Sequence, residues 1–201
     1  MTAQHDLAVH RTIAVIDMAG FGDRIRTNRH QVAARAGMYR ALGHAFDQAR
    51  IPWAGCYHED RGDGAFVLAP ADIPKALFVE RLPGALATAL RRHNHTHPVE
   101  EQVRLRMAIH AGELYHDDYG VTGRALTLAF RLVSSPHLKQ ALATSPGSLA
   151  LITSSWFFDE VVRNSHPTTA AYRPVPITVK ESTTVGWISL PDEAEYTRTA
   201  I

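Results

Sequence analysis

Cysteine is almost absent: Cys56 stands alone among 201 residues. No intrachain disulfide is available, and that usage fits a reducing compartment, the cytoplasm. No apolar run approaches the ~20 residues needed to cross a bilayer, and the N-terminus shows no leader pattern. A membrane is therefore not an expected partner. An excess of one charge is also missing. Lys and Arg number 21 and Asp and Glu 20, for a formal net charge of +1. That balance excludes bulk electrostatic attraction to nucleic acid or to an anionic lipid surface. Repeats, low-complexity tracts and linkers are lacking too. Residues 1–201 are expected to form a single domain with a core over about 11–190.

The most informative stretch present is 11–22, where the apolar β-branched run Ile13 to Ile16 ends at Asp17 and Gly20 and Gly22 follow. The run suits a buried strand. A carboxylate at a strand end, before a glycine-punctuated turn, can hold a metal beside a phosphate. It can equally cap a helix or close a turn. The polar residues 23–30 suit either a turn near phosphate or the start of a helix. Residues 31–50 have helical periodicity, with Met38, Leu42, Ala45, Phe46 and Ala49 on one face, and Ile51-Pro52 stops them.

Residues 53–60 and 65–69 read as two strands joined by the tight turn Arg61-Gly62-Asp63-Gly64. Asp63 is a turn former on one reading and a second metal carboxylate on the other. Residues 72–92 are expected to be helical, broken near Pro83-Gly84. His93, His95 and His97 alternate in a polar stretch with no cysteine nearby in sequence, so a solvated loop is expected there rather than a metal site.

Residues 103–109 alternate as a half-exposed strand that His110-Ala111-Gly112 ends. Residues 113–116 suit a partner strand and 117–123 a turn. A helix is expected over 124–133, with Leu126, Ala129, Phe130 and Val133 on its apolar face and Thr127 and Arg131 four apart on another. Pro136 follows it. A strand at 148–152, a helix at 154–164 and strands at 175–180 and 185–190 complete about seven strands and five helices. The order β-α-ββ-α-β is α/β (α+β) of the ferredoxin-like kind, with additions at the C-terminal side.

In order along the chain, these pieces resemble the catalytic domain of class III nucleotide cyclases. The resemblance rests on Ile16-Asp17-Met18-Ala19-Gly20-Phe21, on Arg61-Gly62-Asp63-Gly64, on Ala108-Ile109-His110-Ala111-Gly112, on the helix from Gly123 to Arg131, and on Val179-Lys180 in the place of the family's phosphate lysine. It implies a cyclase-homology domain that acts as a homodimer with shared active sites. Asp17, Asp63 and the Met18 backbone would hold two Mn2+ or Mg2+ ions per site. Gly20, Phe21, Gly22 and Lys180 would bind phosphates. Arg131 would offset charge at the α-phosphate, and Thr127 occupies the position of the family's ribose-orienting Asn.

The base-reading positions depart from the purine-specific members. The first carries Glu59, as in guanine readers, and the second is Gly120, beside Val121, with no side chain. With the ending Val179-Lys180-Glu181 and Gly186-Trp187-Ile188-Ser189, the pattern is most similar to the pyrimidine (uridylate or cytidylate) cyclases of bacterial antiphage signalling systems. Glu59 would accept from a base N–H, and Tyr57 and His58 would fill the space a purine takes up. Ordinary strand packing is the other reading of Tyr57 and His58. The implied activity is conversion of UTP to 3′,5′-cyclic UMP and pyrophosphate, acting on a separate cyclic-nucleotide-responsive effector. CTP and GTP are the rival substrates. A non-catalytic nucleotide-binding or dimerisation module is the rival class.

Overall fold

The computed structural model describes residues 7–165, 171–179 and 182–192. Its first strand, β1 (Val9–Met18), runs through the middle of an eight-stranded sheet. That position buries it on both faces, which is why Ile13 to Ile16 form an unbroken apolar run. Helix α1 (Asn28–Gln48) follows. Thr27 caps it, accepting the His30 N–H at 3.4 Å while the His30 ring takes the Thr27 N–H at 3.3 Å. The segment before it is thus a turn leading into a capped helix. Arg50 leaves the helix at φ 62, and Ile51-Pro52 prevents it from resuming.

Strands β2 (Tyr57–Asp60) and β3 (Gly64–Ala69) form the expected hairpin, although Trp53–Gly55 is a 3-10 turn and not part of the strand. The helical stretch that follows divides earlier than Pro83. A short α2 (Leu77–Glu80) gives way at Arg81 to α3 (Leu82–Thr96). Pro83 stands in the first turn of α3, where its missing N–H has no partner to lose.

The histidine stretch is a correction: His93 and His95 are helical, and His97 is the C-cap of α3. Tertiary hydrogen bonds hold this polar turn in the helix. Asn94 donates to the Val103 carbonyl at 2.9 Å and accepts the Val103 N–H at 2.7 Å. Strand β4 (Leu105–Asp117) is longer than expected and absorbs residues 113–116. Its partner there is β5 (Gly120–Thr122). After α4 (Arg124–Val133), Pro136 opens a further helix, α5 (Pro136–Thr144), capped by Ser135. The chain continues through β6 (Leu149–Ser154), α6 (Ser155–Glu160), β7 (Tyr172–Val179) and β8 (Ser182–Ser189).

The sheet order is β2-β3-β1-β4-β6-β8-β7, with β5 paired to the far end of β4. The β2-β3-β1-β4 part is antiparallel throughout and is the ferredoxin-like arrangement. β6 joins β4 in parallel, and β8 and β7 extend the sheet. The outermost strand on that side, β7, carries Pro174 and Pro176.

Two cores lie on opposite faces. Ala14, Ile16 and Met18 pack under α1 and α3, while Ile13 and Val15 pack under α4 and α5. By alternation, Asp17 belongs to the α4 face. Among the described residues no helix is long and apolar enough to cross a membrane.

Candidate active site

The end of β1 places Asp17 between two neighbours, opposite Gly64 on β3 and opposite Arg106 on β4. Asp17 is not a helix cap, because Thr27 holds that position for α1. Its half-buried carboxylate accepts from Arg106 Nε at 2.6 Å and pairs with the same guanidinium through Nη2. Burial raises the Asp17 carboxyl above its ordinary 3.8. The Arg106 hydrogen bond and charge pull the other way, and the nearby Asp63 charge pushes it further up.

The hairpin turn brings Asp63 to the same place. Gly62 supplies the left-handed residue, at φ 82, and its N–H donates to Asp60 Oδ1 at 2.9 Å. Asp60, not Asp63, is therefore the turn's side-chain acceptor. Gly64 is needed for a different reason: a Cβ there would collide with the Ile16 carbonyl and crowd Asp17 Cα. That close approach lets the Met18 N–H donate to the Asp63 carbonyl at 2.8 Å. The Asp63 side chain is exposed and makes no hydrogen bond or ion pair with the described residues.

The loop after β1 turns at Gly20, φ 66, and Gly20 and Gly22 face open space. The Met18 N–H is taken by Asp63, and the Ala19 N–H donates to the Arg104 carbonyl at 2.9 Å. Of the backbone N–H groups from Met18 to Gly22, those of Gly20, Phe21 and Gly22 are left for phosphate. Arg26, bonded to the Gln102 carbonyl at 2.7 Å, and Gln31, bonded to the Phe21 carbonyl at 3.2 Å, fix this loop.

A second group of side chains lies along β2. Tyr57 Oη donates to Glu59 Oε2 at 2.9 Å, and Arg61 pairs with Glu59 Oε1 at 3.0 Å. Gly120 lies against them, since a Cβ there would stand 3.8 Å from Glu59 Oε2. The two expected base-reading positions, 59 and 120, are therefore neighbours. Val121, next to Gly120 on β5, packs at the margin of the α4-side core. Tyr57 is 42% exposed, with its ring 6.0 Å from Phe66 and edge-on to His116 at 5.7 Å. His58 is a correction. Successive strand residues face opposite ways, and its ring stacks on Trp53 at 4.8 Å, away from Tyr57.

On α4, Thr127 donates its hydroxyl to the Gly123 carbonyl at 3.1 Å. Arg131 is half-buried one turn further on. Lys180 lies outside the described residues, just beyond the last residue of β7. No hydrogen bond, ion pair or ring contact among the described residues joins Asp17 or Asp63 to Tyr57, Glu59 or Gly120. Sequence reading missed Arg106, Arg61 and His116. The alternation of basic and apolar residues in 104–107 marked Arg106 only as a strand residue, and its partner depends on the β1–β4 register.

No protein-family model and no curated protein matches the sequence. Solved structures do match in fold. An adenylate/guanylate cyclase/hydrolase from Silicibacter pomeroyi has a TM-score of 0.63 at 21% identity, covering 92% of this chain and 99% of that one. The guanylate cyclase domain of RhGC from Catenaria anguillulae, in complex with GTP, has a TM-score of 0.57 at 12% identity, covering 90% and 96%. The guanylyl cyclase Cya2 has a TM-score of 0.57 at 17% identity, covering 91% of each chain. At these identities the likeness is one of fold. The chain has the nucleotide cyclase fold, the α+β cyclase-homology architecture of class III adenylate and guanylate cyclase catalytic domains.

Proposed function

We propose that this chain is a nucleotide cyclase that converts UTP to 3′,5′-cyclic UMP and pyrophosphate, working as a homodimer with shared sites. The observation that carries the reading is the convergence of Asp17 and Asp63 at adjoining strand ends, beside a loop with open glycine N–H groups. The carboxylate oxygens of both aspartates, with the Met18 carbonyl, are the hard donors that suit Mg2+ or Mn2+, two per site. The fit is electrostatic as well: Asp17 is held partly buried near the charge of a second carboxylate, whose effect Arg106 and Lys139 oppose. Bound there, such ions would acidify the attacking ribose hydroxyl and neutralise the leaving pyrophosphate.

The chain's own groups supply the rest. The Gly20, Phe21 and Gly22 N–H groups bind the outer phosphates, with Lys180 as a point charge. Arg106 turns from Asp17 toward the phosphates. Arg131 stabilises the charge that develops at the α-phosphorus as the 3′-oxygen attacks. Thr127 orients the ribose through its remaining lone pairs. In a dimer, Asp17 and Asp63 of one protomer would meet Glu59, Thr127, Arg131 and Lys180 of its partner.

The preference for a pyrimidine rests on the strand β2 group. Tyr57 and Arg61 each occupy one Glu59 oxygen, and each oxygen keeps a lone pair to accept the uracil N3–H or the cytosine amine. The Tyr57 ring occupies space that a purine would need. Glu59 also stands where guanine readers carry theirs, which makes GTP the second reading and CTP a close relative of the first. The cyclic product would act on a separate effector protein, in an antiphage role that the sequence resemblance supports. The test is incubation with each of the four nucleoside triphosphates and Mn2+, with product identification. Cyclic UMP is expected. Cyclic GMP as the dominant product would make this a guanylate cyclase, and no turnover with any nucleotide would favour a binding module.

A further inference from the structure

On the opposite face of the sheet from Asp17, helices α1 and α3 flank a pocket of about 200 Å³ that is open to solvent, its Arg40 and Arg92 exposed. Its walls carry Arg40 from α1 and Arg92, His93, Thr96 and His97 from α3. Gly37 makes room for it: a Cβ on that buried residue would collide with the His93 ring. At roughly 30 Å³ per water molecule, the space holds several waters or one small polyatomic ion. No carboxylate side chain lines it. Neither Arg40 nor Arg92 has an ion pair, or a hydrogen bond from its guanidinium, among the described residues.

The histidine hydrogen bonds fix which nitrogen of each ring carries hydrogen. His93 Nε2 lies 3.1 Å from the Glu101 carbonyl and His97 Nδ1 lies 2.8 Å from the His93 carbonyl. A carbonyl only accepts, so both nitrogens carry hydrogen. The other nitrogen of each ring is a lone pair when neutral and a donor when protonated. The rings stack at 3.8 Å, so two imidazolium charges there repel each other unless an anion offsets them. Burial holds His93 below its ordinary 6.5. Donation to the Glu101 carbonyl opposes that, while His97 and Arg40 reinforce it and the Glu101 charge opposes it.

We infer that this pocket binds a phosphoryl anion, with the Arg40 and Arg92 guanidiniums clamping it from two helices and the stacked His93 and His97 rings beside it. Guanidinium pairs match phosphate oxygens in number and shape. The ligand is inorganic phosphate, pyrophosphate or the terminal phosphate of a larger molecule.

The test uses the full chain with EDTA present, so that anion binding through divalent cations at Asp17 and Asp63 does not contribute. Sodium phosphate, sodium pyrophosphate and a phosphomonoester are titrated at constant ionic strength against a sodium chloride control. The His93 and His97 Cε1–H resonances are followed at pH 7. Saturable movement of both is expected. The double variant R40Q/R92Q should weaken binding at least tenfold while keeping the melting temperature of the wild type without anion. The order of affinity among the three probes separates a free phosphate from a phosphate carried on a larger molecule. Equal affinity in wild type and variant, or no saturable movement with any probe, overturns the proposal. So does stoichiometric movement on adding Zn2+ alone without EDTA, if phosphates give none, because the two histidines would then be metal ligands.

Discussion

Arg106 stands directly across the β1–β4 ladder from Asp17 and donates to its carboxylate from Nε at 2.6 Å. The pairing exists because the register places a basic strand residue opposite the one carboxylate that ends β1. Arg106 pairs with Asp17, while Asp63 makes no ion pair with the described residues and leaves a charge that a cation would offset. Asp17 and Asp63 nevertheless differ in what surrounds them, and that difference separates a chemical role from a structural one.

Asp17→Ala and Asp63→Ala should each abolish cyclisation. Only the first should lower stability, because it strands Arg106, whose side chain is 14% exposed. Leaving such a donor without its partner costs about 1–3 kcal/mol. Asp63 is exposed and bonded to nothing described, so its variant should melt with the wild type. Turnover assays at saturating Mn2+ alongside thermal melts check both halves. Substantial activity in either variant sinks the two-carboxylate reading for that residue.

Mixing inactive Asp17→Ala with inactive Arg131→Ala should restore activity, since one composite site in the mixed dimer is then intact. Subunit exchange is followed independently with labelled protomers. Exchange without recovered activity would mean that each site lies within one chain.

Glu59→Ala should lower kcat/KM for the preferred nucleotide by about tenfold to a hundredfold, the cost of an unpaired group in a closed pocket. It should leave Mn2+ binding unaffected. Tyr57→Ala should relax discrimination against ATP and GTP by opening space. Tyr57→Phe, which loses only the 2.9 Å bond to Glu59, should lower activity without relaxing it. Measuring kcat/KM for all four nucleotides in each variant separates size from hydrogen bonding.

His110 gives a pH prediction. It is buried, with Nδ1 2.7 Å from Ser154 Oγ, and burial pushes its pKa down to about 4 from 6.5, with His10 acting in the same direction. A lowered histidine pKa means that the unfolded chain takes up the proton first. The stabilisation is complete above 6.5 and is lost as pH falls toward 4, about 3 kcal/mol in all. Urea melts at pH 7.5 and 4.5 should show His110→Gln losing less stability over that interval than the wild type. Equal losses would exclude His110 as the titrating group.

Much of the fold was legible because its signals are local. The apolar run at Ile13–Ile16, the Arg61–Gly64 turn and the face of α4 each follow from a few neighbouring residues. The errors fall where distant residues decide. Asn94 holds a polar turn in α3 by bonding Val103, and nothing within 93–98 announces it. In the sequence Pro136 only follows α4, yet Ser135 before it makes it the first residue of a capped helix. Sequence nearness groups His58 with Tyr57, although strand alternation sends it to Trp53. At the site, Asp17, Asp63, Glu59 and Gly120 were visible as positions. The partners that define them, Arg106, Arg61 and His116, depend on strand register and on where side chains turn.

The two prolines of β7 bear on how copies of this chain could associate. Pro174 and Pro176 occupy alternate positions of an outermost strand and so remove two hydrogen-bond donors from one side of it. The opposite rim, β2, is only four residues long. Neither rim offers an incoming strand a long row of backbone partners. Growth of one continuous sheet from molecule to molecule is thereby discouraged. Any pairing of two copies is left to helices and loops, and the chain should resist fibril formation even at high concentration.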